Sequence, residues 1–213
     1  MHWSPWLEAR LRSVAVLPVI VLSDASHAAP LARALYAGGV TVMEVTLRTP
    51  ASLEAITRMR EAVPDAVVGA GTVLSLDQAR AAREAGAQFL VSPGSSPRNL
   101  EALLSTDLPF LPGAVTATEV MTLQEQGLSL LKYFPAEPMG GIAALKALSG
   151  PLPGVRFCPT GSIERGKVSE YLKQPTVMCV GGSWLTPDDA LKAGDFERIR
   201  ALALSSHALR LER

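Results

Sequence analysis

The chain is short of cysteine, histidine and aromatic residues, and it has no surplus of either charge. Its two cysteines, Cys158 and Cys179, show no C-x-x-C spacing, and each sits inside an apolar run. That excludes a disulfide-stapled scaffold and a cysteine zinc site, and it points to reduced, buried thiols. Three histidines, His2, His27 and His207, are scattered and match no ligand spacing, so nothing supports a metal site. Twenty Lys and Arg balance twenty Asp and Glu. A nucleic-acid partner normally demands a basic excess and an acidic solvating tail the reverse, and neither is present. No basic region followed by an apolar stretch opens the chain, so no signal peptide is expected. The longest apolar runs, such as 14–22, are interrupted by Pro18 and are too short to span a bilayer. A cytoplasmic protein with neither a membrane nor a nucleic-acid partner is the expectation.

What the chain has is enough apolar sequence for a large core: 48% hydrophobic against 19% charged residues, which excludes a disordered chain. At 213 residues, without a linker or a composition shift, one domain spanning 1–213 is expected. Eight apolar or β-branched runs recur, at 14–21, 40–47, 66–70, 88–91, 108–111, 128–134, 155–158 and 176–180. Amphipathic stretches such as 27–37, 52–62 and 77–85 separate them, with Leu35, Ile56, Met59 and Ala79 at helical spacing. Asp24 and Ser75 suit helix N-caps, and Gly38-Gly39, Gly86 and Gly127 suit C-terminal caps. Strands that read as continuous apolar runs are buried on both faces, as in parallel sheets covered by helices. The pattern predicts an α/β fold, a (β/α)₈ TIM barrel. A doubly wound open sheet also fits, because periodicity does not show closure.

In a barrel the chemistry belongs at the C-terminal strand ends. Glu44, Thr46 and Arg48 alternate along the second run, and Leu130, Lys132 and Phe134 along the sixth, so each set shares a face. Lys132 is the one lysine of five that lies inside an apolar strand. It reads either as a structural lysine, snorkelling to water or paired with Glu44, or as a nucleophilic amine. To attack a ketone, the amine must shed its proton, which apolar surroundings or a nearby cation such as Arg48 promote. Glu44 reads either as its ion-pair partner or as a proton shuttle. Two short motifs are discounted. Gly161-x-x-x-x-Gly166-Lys167 has P-loop spacing, but Val168 stands where the metal-binding hydroxyl belongs. Gly69-x-Gly71 lacks the third glycine of a dinucleotide fingerprint, having Leu74 there.

Six segments in order, Glu44-Val45-Thr46-Leu47-Arg48-Thr49, Val68-Gly69-Ala70-Gly71-Thr72-Val73, 89–94, Lys132-Tyr133-Phe134-Pro135-Ala136-Glu137, Arg156-Phe157-Cys158-Pro159-Thr160-Gly161 and Gly181-Gly182-Ser183-Trp184-Leu185, closely resemble the bacterial 2-keto-3-deoxy-6-phosphogluconate (KDPG) aldolases, also described as 4-hydroxy-2-oxoglutarate (KHG) aldolases. The resemblance runs from about Val16 to Asp195. It implies a homotrimeric (β/α)₈ barrel that cleaves a small sugar-acid phosphate to pyruvate and glyceraldehyde 3-phosphate by class I chemistry, with no cofactor and no metal. By the same likeness Lys132 is the Schiff-base lysine and Glu44 the general acid/base. Arg48 and Thr72 hold the pyruvyl carboxylate, Phe134 and Pro93 line its pocket, and Thr160 is a substrate-binding position. Gly161, Ser162, Gly182 and Ser183 fall on the phosphate-binding loops. The family typically has a glycine where this chain has Ser162; a serine there is strained if the backbone needs a positive φ. The galactonate epimer, unphosphorylated KHG, or another metal-independent activity on a phosphate-binding barrel remain the alternatives.

Overall fold

The computed structural model describes residues 1–210; the last three positions of the expected 1–213 domain lie outside the described residues. Strands β1 (Val16–Ile20), β2 (Val42–Thr46) and β3 (Val67–Gly71) are buried along their whole length, as their apolar runs require. After them come β4 (Leu90–Val91), β5 (Phe110–Leu111), β6 (Gly113–Ala114), β7 (Leu130–Tyr133), β8 (Arg156–Pro159) and β9 (Val180–Gly182). Every pairing among them is parallel. Helices α2 (Ala28–Ala37), α3 (Ser52–Ala62), α4 (Leu76–Glu84), α5 (Pro97–Leu104), α6 (Ala117–Glu125), α7 (Gly141–Ser149) and α8 (Val168–Leu172) form the crossovers.

The ladder settles closure. One sheet runs β5-β4-β3-β2-β1-β9 and another β6-β7-β8. Between β5 and β6 stands only Pro112, which has no N–H to donate and so splits one wall strand into two short pieces. The Pro112 carbonyl still accepts from the Lys132 N–H at 2.8 Å. On the other side, bridges Phe157↔Val177 and Thr160↔Gly181 join β8 to the β9 segment. The circuit closes, so the chain folds as a (β/α)₈ barrel and the open doubly wound sheet is excluded.

Local sequence explains the punctuation. Ser75 accepts from the Gln78 N–H and starts α4, while Asp24 accepts from the Ser26 N–H and caps a short 3₁₀ turn ahead of α2. Gly39, Gly86 and Gly127 all take positive φ after helices. The last strand lies later than expected: the run at 176–180 supplies a bridge at Val177 and the first strand residue, Val180, and the ladder continues through Gly181 and Gly182. Sequence patterning leaves both termini unassigned, and there the structure adds α1 (Ser4–Arg12), which buries Leu7 and Leu11. It also adds α9 (Asp188–Ala193) and α10 (Phe196–Leu209). A Cβ at Gly38 would stand 2.4 Å from the Ala203 methyl, so a glycine at the end of α2 lets α10 seat against it.

Gly69 is a second close approach. A methyl there would meet the ring of fully buried Phe89 at 2.4 Å, and neither backbone nor ring has room to yield. Gly69→Ala is expected to cost about 1–3 kcal/mol by overpacking. Adding Phe89→Leu should recover part of that loss in urea unfolding; an unchanged single mutant would show that this layer is not tightly packed.

Candidate active site

Strands β2 and β7 are not neighbours in the sheet, so side chains on them can meet only across the barrel interior. Glu44 on β2 and Lys132 on β7 do so: Lys132 Nζ lies 3.3 Å from Glu44 Oε1, and the residues are 4% and 1% exposed. Register explains the aim. Glu44 pairs with Val19 and Gly69, and Lys132 with Gly113 and Cys158, so one inward layer of the wall carries both charges. Space for the carboxylate comes from Gly71, where a Cβ would stand 2.1 Å from Glu44 Oε1. The Lys132 ammonium also lies 5.4 Å from the centre of the Phe134 ring, within cation–π range. Thr46, on the same face as Glu44, donates its hydroxyl to the Ile20 carbonyl and is structural.

Lys132 opens onto a cavity of ≈ 470 Å³ at the C-terminal strand ends, a volume suited to a small metabolite. Arg48, Phe134, Thr160, Gly161, Ser162, Gly182 and Ser183 all line it with Lys132, so eight of the eleven expected positions converge there. Glu44 reaches it through Lys132. Thr72 reaches it through Arg48, whose Nε donates to the Thr72 hydroxyl at 3.2 Å. Pro93 is not among the lining residues; its carbonyl packs against Gly113, where a Cβ would approach it to 2.2 Å. The Thr160 hydroxyl donates to the Cys158 carbonyl and packs on Gly181, so it shapes the wall. Cys158 and Cys179 are buried with their sulfurs 3.5 Å apart and not joined in a disulfide.

Backbone strain is concentrated in this site. Thr72 and Ser162 both have φ of +57°. A non-glycine residue held in left-handed backbone costs on the order of 1–3 kcal/mol, and the β-branched Thr72 is the more marked outlier. Ser162 therefore does occupy the position where a glycine would be unstrained. Its neighbour Gly161, at φ +112°, has a backbone that favours glycine, and a Cβ there would stand 3.1 Å from Pro135 Cα. The two loops are stitched together: Ala136 N–H donates to Thr160 O at 2.8 Å, and Glu137 N–H to Gly161 O at 3.2 Å. The Glu137 carboxylate accepts from Tyr171 Oη at 2.6 Å and pairs with Lys167. Lys167, then Tyr171, hold the Glu137 carboxyl below its ordinary range, while burial, then Glu137, push the Tyr171 hydroxyl up.

Sequence reasoning missed several lining residues, among them Arg165, Glu164 and Trp184. Arg165 lay inside the discounted P-loop spacing, and nothing in the pattern marked it as facing a cavity. Its guanidinium sits 5.9 Å from the Trp184 ring centre. Among the described residues, no group of three or more His, Cys, Asp or Glu side chains is arranged to hold a metal. No helix among them is long and apolar enough to cross a membrane.

A lysine nitrogen held beside a carboxylate inside a closed parallel barrel, below glycine loops on two successive strands, is equipped for Schiff-base chemistry on a carbonyl substrate. Comparison with known proteins narrows the class. The family model "KDPG and KHG aldolase" matches residues 7–202, and on that match the chain belongs to this family of aldehyde lyases. It is 48% identical to the KHG/KDPG aldolase of Escherichia coli K12 over 202 residues, covering 95% of each chain. The KDPG aldolase of Legionella pneumophila, solved with pyruvate captured at low pH as a covalent carbinolamine, superposes with a TM-score of 0.90 at 42% identity, covering 93% of this chain and 97% of that one. The Zymomonas mobilis ZM4 enzyme, solved with 3-phosphoglycerate, gives 0.89 at 45% identity, covering 95% of each chain.

The buried pair makes a stability prediction. Lys132→Met leaves the Glu44 carboxylate buried without its cation, which costs about 3–5 kcal/mol. Adding Glu44→Gln should restore most of that in urea unfolding. A single mutant within 1 kcal/mol of the parent, on the order of experimental spread, would mean that Lys132 does not hold the Glu44 charge.

Proposed function

We propose that the chain is a Schiff-base aldolase cleaving KDPG to pyruvate and glyceraldehyde 3-phosphate, and KHG to pyruvate and glyoxylate. The observation that carries this reading is the Lys132–Glu44 contact across the barrel, open to a cavity fringed by Arg48 and two glycine–serine loops. Glu44 is close enough to accept the ammonium proton, leaving a free amine. That amine attacks the C2 ketone, Glu44 returns the proton it took to the carbinolamine hydroxyl as this leaves as water, and an iminium results with Glu44 again a carboxylate. Arg48, steadied by Thr72, holds the adjacent carboxylate with its planar fork. The proton of the C4 hydroxyl passes to Glu44 through a water molecule and the C3–C4 bond breaks. Its electrons flow to C3 and the iminium nitrogen, and the aldehyde leaves. Glu44 returns a proton to C3 of the enamine, and the water lost earlier is regained as the iminium hydrolyses to pyruvate. The Legionella relative was captured with pyruvate as a covalent carbinolamine, the adduct that precedes pyruvate release in this sequence.

The phosphate falls to Gly161, Ser162, Gly182 and Ser183, whose backbone N–H groups and hydroxyls bind an anion without formal charge. These loops follow the last two strands of the barrel, where this fold commonly grips phosphate. Phe134 forms the wall beside the amine. In this reading the protein works as a single-domain barrel assembled into a homotrimer in the cytoplasm, as the family likeness implies.

Pyruvate release coupled to lactate dehydrogenase tests the assignment, with KDPG, its galactonate epimer and KHG compared side by side. KDPG is expected to give the highest kcat/KM. Glu44→Gln should lower kcat at least a hundredfold, the scale of general acid–base contributions. Turnover of the variant at the parent rate would remove Glu44 from the proton-transfer role.

A further inference from the structure

Resting on the aldolase reading above, we propose that Arg165 is a specificity residue that selects phosphorylated substrates, with the Trp184 ring as its platform. The segment after β8 carries Gly161, Ser162 and Arg165, and the end of β9 with the loop after it carries Gly182, Ser183 and Trp184; all six line the same cavity. The guanidinium lies 5.9 Å from the Trp184 ring centre, so the side chain bridges the two loops assigned to phosphate. Among the described residues Arg165 is in none of the ion pairs. The other two cations of the cavity are engaged: Lys132 pairs with Glu44, and Arg48 donates to Thr72.

Electrostatics gives this loop a need for a cation. Glu164 lines the same cavity and sets a negative charge against an incoming dianion. Ser162 and Ser183 bring hydroxyls but no charge to oppose it. Arg165 offsets Glu164, and a guanidinium held within cation–π range of a ring keeps N–H groups available for two parallel bonds to a phosphate. The ring contact also favours a side-chain position facing the cavity, which reduces the ordering cost on binding. The loop beneath is anchored two residues on, where Lys167 pairs with Glu137. KHG ends in a second, singly charged carboxylate instead of a phosphate dianion, so the contribution of Arg165 belongs mainly to KDPG.

The test uses the full chain and its Arg165→Met, Arg165→Lys and Trp184→Leu variants, assayed by pyruvate release on KDPG and on KHG. For Arg165→Met the ratio of kcat/KM on KDPG to that on KHG is expected to fall about tenfold or more, the order of one charge-assisted contact. A rise in the KM for KDPG should carry the loss, and the inhibition constant of inorganic phosphate should rise in parallel. Arg165→Lys should recover part of the ratio, and Trp184→Leu should lower it. An unchanged ratio, or equal losses on both substrates as a merely structural role would give, overturns the proposal. Failure of the parent chain to cleave either substrate would instead sink the aldolase reading. Arg165 would then be judged by calorimetric titration with inorganic phosphate, where equal affinity of parent and Arg165→Met refutes it.

Discussion

A lysine on one wall of the barrel and a glutamate on another meet at 3.3 Å in an interior packed mainly with hydrocarbon. Two charges removed from water in this way are costly unless they compensate each other, and once in place they constrain everything around them. Gly71 must be a glycine, because a single methyl would strike the Glu44 carboxylate. The register of β2 with β3, and of β7 with β6 and β8, must hold residue by residue, because a slip of one would turn both charges outward. The barrel circuit supplies that register. The pair thus links the fold to the site: the closed sheet makes the contact, and the contact sets a lysine nitrogen beside a carboxylate at the floor of the cavity.

Around that pair the site combines strain with charge economy. Thr72 and Ser162 both sit in left-handed backbone, one steadying Arg48 and the other facing the cavity directly. Such conformations persist where the surrounding structure over-determines them, and here the stitched loops from Pro135 to Glu137 and from Thr160 to Gly161 do so. Only a few charged side chains face the cavity, which is why an overall balance of charge says nothing against an anionic substrate.

Much of this was legible in the sequence, for physical reasons that can be named. Parallel strands buried on both faces must be apolar throughout, so eight such runs with amphipathic spacers predict the barrel. A lysine inside one of those runs is expensive enough to stand out, and so is a glutamate inside another. The helix caps at Asp24 and Ser75 were readable because they are local hydrogen bonds. Closure was not, because it rests on Pro112 interrupting a wall and on two bridges between β8 and β9, which are long-range facts. The left-handed backbone at Thr72 escaped notice because threonine ordinarily avoids it. Pro93 carries a motif match, but its position turns a carbonyl to Gly113. Arg165 was hidden because its role depends on Trp184 in the next loop, a pairing no local pattern encodes.

The central claim is that the amine of Lys132 becomes covalently bonded to the ketone carbon of the substrate. Incubation with pyruvate and borohydride should reduce the iminium to a stable secondary amine. Peptide mass spectrometry should then find the pyruvyl carbons on Lys132, with Lys146, Lys167, Lys173 and Lys192 unmodified. Recovery of Lys132 unmodified from protein that turns over substrate would contradict the account.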